Sequence, residues 1–242
     1  MRSLAPRPES VAVFQRRLLH WYQEHGRRYP WRNKSASTYA KIIAEILLQR
    51  TRAETIATFY PAFLKRFPSW KALAQATEES LREYLQPIGL WRRRSRTLVA
   101  LAQEMMRRRG IMPKDRTSIE ALPGVGQYIA NAVQLFAHGT PRPLLDVNMA
   151  RVLERHFGPR QLVDIRYDPY LQDLAHDIVR RRSSAAVNWA ILDLAARVCT
   201  IRTPSCSNCP LNNTCQYATA IPTRISVEQI PRQSRIPRGR QV

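Results

Sequence analysis

Apolar residues recur at spacings of three and four along most of the chain, while strict alternation never persists. That pattern predicts helices and few strands. Helical periodicity runs through Val11–Tyr22, Thr38–Arg50, Thr55–Arg66, Ser69–Ala76, Glu79–Tyr84, Arg94–Arg108, Ile119–Leu122, Gln127–Ala137, Val147–Phe157, Tyr170–Val179 and Ser184–Val198. Proline and glycine separate these stretches at Pro68, Pro87-Ile88-Gly89, Pro113, Pro123-Gly124-Val125-Gly126, Gly139 to Pro143 and Gly158-Pro159, as expected of interhelical turns. The expected fold is all-α. After Cys215 the apolar content thins, and Arg224, Arg232, Arg235, Arg238 and Arg240 stand among Pro and Ser, the composition of a basic, disordered arm.

At 242 residues, with 44% hydrophobic and 24% charged positions, the chain can bury a core of its own and is neither disordered nor fibrous by composition. No apolar run approaches the roughly 18 residues of a membrane span. The first twenty residues carry Arg2, Arg7, Glu9, Arg16 and Arg17, so a signal peptide is not expected there. The expected location is the cytoplasm, in association with the nucleoid, without a membrane partner.

Charge narrows the class of partner. Lys+Arg 39 against Asp+Glu 18 gives a net +21, and Lys34, Lys41, Lys65, Lys71 and Lys114 are the only lysines. Arginine suits forked phosphate contacts and stacking, so a polyanion is the expected partner; a merely solvated basic surface is the alternative.

The cysteines form one constellation, Cys199-x6-Cys206-x2-Cys209-x5-Cys215, with turn-formers Pro204, Ser205, Asn208, Pro210, Asn212 and Asn213 between them. Clustering in one short segment of a chain expected in a reducing compartment points to metal rather than disulfides. A single short C-x2-C spacing flanked by longer ones suits a loop around a bulky iron–sulfur cluster better than a zinc knuckle, and both remain open on spacing alone.

Three further segments could carry chemistry. Leu122-Pro123-Gly124-Val125-Gly126-Gln127-Tyr128 reads as a helix–hairpin–helix in which glycines admit close backbone approach and a helix N-terminus favours a DNA phosphate, or as an ordinary turn. Asp146, opening the periodic stretch that starts at Val147, is an N-cap by type; beside such a hairpin its carboxylate could also stabilise positive charge growing on a deoxyribose as its base departs. In Thr38–Arg50, apolar positions 39, 42, 43, 46 and 47 form one face, with Glu45 and Gln49 on its flank. An acid in so apolar a helix has a raised pKa and suits proton delivery to a leaving base; a surface Glu paired with Arg is the plainer reading. Gln49, Arg50 and Arg52 end that helix and could probe a DNA groove.

In these residues the chain resembles the helix–hairpin–helix, Gly-Pro-Asp superfamily of DNA glycosylases, in its iron–sulfur branch with endonuclease III and the adenine glycosylase MutY. The resemblance runs in unbroken order from Tyr29 to Cys215: Pro30-Trp31-Arg32, Ala44-Glu45-Ile46-Leu47-Leu48-Gln49-Arg50-Thr51, Ile88-Gly89-Leu90, Leu122-Pro123-Gly124-Val125-Gly126, Leu145-Asp146-Val147-Asn148 and the cysteine signature. It implies a two-domain fold: a six-helix barrel at 35–140 bearing the hairpin, an iron–sulfur domain from 1–34 and 141–215, and a basic tail at 216–242. It implies a [4Fe–4S] cluster on Cys199, Cys206, Cys209 and Cys215, a monomer acting on double-stranded DNA that contains a mismatched or damaged base, and catalysis by Asp146, Glu45 and Tyr128. Gly124, Val125, Gly126, Gln49, Arg50, Arg92 and Arg93 are expected to bind DNA, with Arg94 and Arg96 as further phosphate contacts; Trp31, Asn148 and Trp189 are expected around the extruded base.

Lyase-competent endonuclease III has Lys where Tyr128 stands, and a phenol cannot form a Schiff base, so the resemblance implies base release by water alone. Asn188 is followed by Trp189 where MutY has Glu or Gln, Trp91-Arg92-Arg93 replaces MutY's paired tyrosines, and no 8-oxoguanine-reading domain follows the cysteines. Gln49 to Thr55 and Cys209-Pro210-Leu211 are MutY-like. The expected substrate is thymine or uracil opposite guanine; the alternatives are adenine opposite guanine or 8-oxoguanine, a DNA-binding iron–sulfur protein without catalysis, and a zinc-stabilised binding module.

Overall fold

The computed structural model describes residues 8–180 and 183–220, and its elements are helical, with no strand among the described residues. They are α1 (Pro8–His25), α2 (Thr38–Leu48), α3 (Ala53–Arg66), α4 (Trp70–Ala74), α5 (Glu78–Leu85), α6 (Trp91–Arg107), α7 (Arg116–Glu120), α8 (Gln127–His138), α9 (Val147–Phe157), α10 (Pro169–Arg180) and α11 (Ser184–Arg197), with single 3-10 turns at Pro30–Arg32, Gln86–Ile88, Cys206–Asn208 and Asn212–Thr214. Side-chain caps start several of them. Ser37, Ser69, Thr77, Asp115 and Asp146 each accept a backbone N–H of the first turn, satisfying donors that have no partner within the helix.

Two hydrophobic cores organise these helices. The first is built from α2 to α8 and takes in Trp31 from the 3-10 turn. The second joins Val11, Phe14, Leu18 and Trp21 of α1 to α9, α10, α11 and Leu211. The chain passes from one to the other between Leu144, in the first, and Leu145, in the second. Asp146 is the next residue, so it stands where the cores meet.

Several helix ends differ from the periodicity, and three of them have a clear local cause. α2 stops at Leu48 because Gln49 leaves helical geometry and Arg50 turns left-handed at φ 56°. α6 starts at Trp91, a turn before Arg94, because left-handed Leu90 already accepts the N–H groups of Arg93 and Arg94. Residues 216–220, expected to open the tail, are helical, held by Gln216 Nε2 donating to the Phe157 carbonyl and by the Arg155 guanidinium 4.7 Å from the Tyr217 ring centre. Arg224, Arg232, Arg235, Arg238 and Arg240 lie outside the described residues.

His156 is buried in the second core, edge-on to Phe14 at 4.9 Å and to Phe157 at 4.5 Å, with Nδ1 lacking a partner. Burial, assisted by the Arg17 charge, pushes its pKa down to about 4. The unfolded chain therefore binds a proton there that the folded chain refuses, and stability falls as pH drops from about 6.5 towards 4. Denaturant unfolding of His156→Phe across that window should show a shallower acid loss than the native chain; parallel curves would contradict this role.

Candidate active site at the junction of the two cores

α2 is buried on nearly every side, from Tyr39 through Leu47, as befits a helix apolar around most of its circumference. Glu45 is therefore inside the protein at 4% exposure, away from exposed Gln49, and not on a shared flank. Its Oε2 accepts a 2.8 Å hydrogen bond from the Tyr128 hydroxyl on α8. Burial raises the Glu45 pKa to about 7 and outweighs the opposing pull of the Tyr128 bond and of the Arg32 charge, while Asp146 adds a further rise. The same burial, with the Glu45 and Asp146 charges, drives the Tyr128 phenol well above its ordinary value. Glu45, Tyr128, Asp146 and Arg32, from α2, α8, the N-cap of α9 and the Pro30–Arg32 turn, thus share one electrostatic site.

Asp146 is held from two sides. Its Oδ1 accepts the N–H groups of Asn148 (2.9 Å) and Met149 (2.8 Å), and its Oδ2 accepts Asn148 Nδ2 at 2.7 Å. Asn148 Oδ1 in turn accepts Arg151 Nη1 at 3.1 Å, and Arg151 Nε donates to the Cys199 carbonyl at 2.9 Å. A continuous chain of hydrogen bonds therefore runs from the cysteine segment to Asp146. The N-cap reading of Asp146 is correct, and the cap fixes its carboxylate at the junction.

Arg32 is anchored on fully buried Asp193 of α11, with Nη1 to Oδ2 at 2.7 Å and Nη2 to Oδ1 at 3.0 Å; Arg27 reaches the same carboxylate through its backbone N–H and Nε, both at 2.7 Å. Two cations compensate one buried anion, and together they tie the segment before α2 to α11. The Arg32 guanidinium also lies 5.0 Å from the Tyr29 ring centre and 5.6 Å from that of Trp189, and its buried Nε has no protein partner. Arg32 enters the sequence-based expectations only within the Pro30-Trp31-Arg32 motif and Asp193 not at all; an acid in the apolar run Ala190–Leu194 is the signal that marks it.

Among the residues expected around a base, Asn148 is bonded to Asp146, and partly exposed Trp189 stacks on Phe136 (6.0 Å, 21° between planes) beside Arg32. Trp31 is 3% exposed, stacked on Tyr29 at 4.6 Å and edge-on to Tyr60 at 5.4 Å. It belongs to the packing of the first core and offers no free face.

The hairpin forms a second feature. Gly124 has φ 74°, and a Cβ there would come 2.0 Å from Thr97 Cγ2, so glycine serves both the turn and its contact with α6. Val125 is buried beneath exposed Gly124 and Gly126. Gly126 starts α8 without a side-chain cap, leaving N–H groups of the first turn for an anion. Arg50, Arg92 and Arg93 are exposed, Arg92 lying 4.0 Å over Trp91, and Arg96 is 76% exposed. Arg94 corrects the expectation of a phosphate contact: it is 4% exposed and donates to protein carbonyls.

The four cysteines line one recess, partly open to solvent, with Arg155, Val198, Pro204, Ser205, Asn212, Tyr217 and Ala218. Arg155 Nη1 donates to Cys199 Sγ at 3.4 Å, and Cys215 Sγ donates to the Arg155 carbonyl at 3.2 Å. Burial pushes the Cys209 thiol up to about 11, with the other three cysteines adding to the rise. Among the described residues no three such donors converge on a point for a single ion. Four thiols around one recess are the donor set of a thiolate-bound metal group.

A family profile described as "HhH-GPD superfamily base excision DNA repair protein" matches residues 43–164. The chain is 40% identical over 212 residues to a thymine-DNA glycosylase of Aeropyrum pernix, covering 86% of this chain and 95% of that protein. It is 39% identical over 220 residues to a thymine/uracil-DNA glycosylase of Pyrobaculum aerophilum, covering 88% and 95%. Among solved structures, that of a thermostable thymine-DNA glycosylase superposes with a TM-score of 0.80 at 28% identity, covering 87% of this chain and 97% of that one.

The raised Glu45 pKa has a measurable cost. Between about pH 4.5 and 7 the folded chain keeps a proton that the unfolded chain gives up, so this group's contribution to stability declines as pH rises through that window. Glu45→Gln carries no such charge. Relative to the native chain, its unfolding free energy should gain on the order of 3 kcal/mol between pH 4.5 and 8; a difference independent of pH would contradict the assignment.

Proposed function

Since the chain belongs to the HhH-GPD superfamily of base excision DNA repair proteins, we propose that it is a monofunctional DNA glycosylase that removes thymine or uracil mispaired with guanine. The observation that carries the reading is the meeting of a buried, proton-holding Glu45 with an N-cap carboxylate, Asp146, at one site across two cores. Exposed hairpin glycines, the uncapped start of α8, and Arg92 and Arg93 grip the phosphates without reading sequence. A mispaired base costs less to extrude than a paired one. Glu45 donates a proton to the departing base, and Asp146 stabilises the positive charge that grows on the sugar. Water then adds to the sugar carbon and gives a proton back to the Glu45 carboxylate, because Tyr128, hydrogen-bonded to Glu45, has no amine with which to attack the sugar.

Two features favour a pyrimidine. The relatives above act on thymine or uracil by name. Arg32 Nε and the Trp189 indole are donors suited to a carbonyl-bearing base edge, whereas the amino group of adenine needs an acceptor. Cys199, Cys206, Cys209 and Cys215 would hold a [4Fe–4S] cluster, which when bound supplies the C-terminal segment with a covalent core.

Duplexes carrying T·G or U·G should yield strand breaks after alkali and none without it, with matched T·A left intact and borohydride trapping no adduct. Fast excision of adenine opposite 8-oxoguanine with T·G untouched would overturn the substrate, and a trapped adduct the mechanism. Asp146→Asn should bind mismatched DNA as the native chain does while losing base release by several orders of magnitude, about 4 kcal/mol or more of transition-state stabilisation. Metal analysis of the purified protein should find about four irons and comparable labile sulfide per chain; one zinc and no iron would refute the cluster.

A further inference from the structure

Arg94 is the unexpected residue of the DNA-facing side. It lies in the first turn of α6, between solvent-exposed Arg93 and buried Ser95, at 4% exposure. Its Nη1 donates to the carbonyls of Ile88 and Gly89, both at 2.7 Å. Its Nη2 reaches the carbonyls of Leu47 (3.0 Å) and Gln49 (2.5 Å) and Thr51 Oγ1 (2.7 Å). The acceptors come from the last turn of α2 with the loop after it and from the loop between α5 and α6, and the two loops are also joined directly by Thr51 Oγ1 donating to the Ile88 carbonyl at 3.2 Å. Among the described residues Arg94 makes no salt bridge with a carboxylate, and a buried cation is tolerated here because it faces the carbonyl ends of α2 and of the Gln86–Ile88 turn.

Both loops hold a side-chain-bearing residue in the left-handed region, Arg50 at φ 56° and Leu90 at φ 50°; among the described non-glycine residues only Arg109 shares that geometry. Such backbone persists where surrounding contacts over-determine it. Beyond the clamp the two loops present exposed Gln49, exposed Arg50 and Leu90, a large apolar side chain left 45% exposed, next to Arg92 and Arg93.

We propose that Arg94 is a positioning residue that locks these two loops into one rigid ridge, so that Leu90 and Gln49 meet the duplex together and hold open the base pair whose pyrimidine is extruded. The inference rests on the glycosylase reading and adds to it a residue that touches neither base nor phosphate. An apolar side chain on a rigid mount can part a base step, and a mobile one cannot resist its closing. Only a planar fork of donors reaches both loops at once, so lysine cannot replace it fully.

The test compares the native chain with Arg94→Met and Arg94→Lys on a T·G duplex carrying 2-aminopurine beside the thymine. Three quantities are read: the fluorescence rise on binding, the single-turnover excision rate at saturating enzyme, and the affinity for undamaged duplex. Arg94→Met should lose most of the fluorescence rise and at least tenfold in saturated rate while binding undamaged duplex within twofold of the native chain, with Arg94→Lys between the two. A folded Arg94→Met with native fluorescence and rate overturns the proposal, as does one that loses rate and undamaged-duplex affinity in equal proportion, which marks a merely structural role. If Arg94→Met does not fold, Arg94→Lys decides by the same readouts: a reduced rise and rate at unchanged affinity support the ridge, and native behaviour refutes it. Should the native chain excise neither thymine nor uracil, the glycosylase reading fails, and the fluorescence and affinity arms still decide the role of Arg94.

Discussion

The hydrogen bond from Tyr128 to Glu45 is the interaction on which the site depends, because it joins α2 to α8 around a carboxyl group the protein has taken out of water. A phenol donating to a carboxylate favours the ionised form, and so does the nearby Arg32 charge, yet desolvation is the larger effect and keeps the acid near pKa 7. The surrounding helix makes this possible. α2 is apolar on almost all sides, so it is enclosed by the first core, and Glu45 is enclosed with it.

Other charged groups are held by a different rule: each is bonded through a fixed geometry. Asp193 takes two arginines, Arg94 takes five oxygen acceptors, and Asp146 takes the first turn of α9 together with Asn148. Removing one partner from such a set leaves the other desolvated and unpaired, which is expensive. These networks therefore set the relative placement of Glu45 and Asp146 more narrowly than apolar packing would, and pre-organised charge is what a reaction through a cationic sugar needs.

Much of this is legible in the sequence. Spacings of three and four mark α1 to α11 but not the short helical segment at 216–220, the glycines mark the hairpin, and Asp146 stands as a cap before a periodic stretch. What stayed hidden depends on partners far away in the chain. Tyr128 and Glu45 are 83 positions apart, and Arg32 and Asp193 are 161 apart; no local pattern links them. The ends of α2 and α6 were missed because Arg50 and Leu90 turn left-handed without the glycine that signals such geometry. Arg94 looked like its exposed neighbours Arg92 and Arg93, since local charge does not reveal which arginine faces inward. Trp31 misled in the opposite way: its motif suggested a base-facing ring, whereas its contacts make it part of the first core.

The central claim is that Glu45 holds a proton at neutral pH and gives it to the departing base. The direct test is the single-turnover rate of thymine release from a T·G duplex, measured from pH 5.5 to 9 under saturating enzyme for the native chain and for Glu45→Gln. The account predicts a native rate that falls about tenfold per unit above an apparent pKa near 7, and a slower variant whose rate lacks that fall. A variant that matches the native rate, or that keeps the same decline above pH 7, would contradict it.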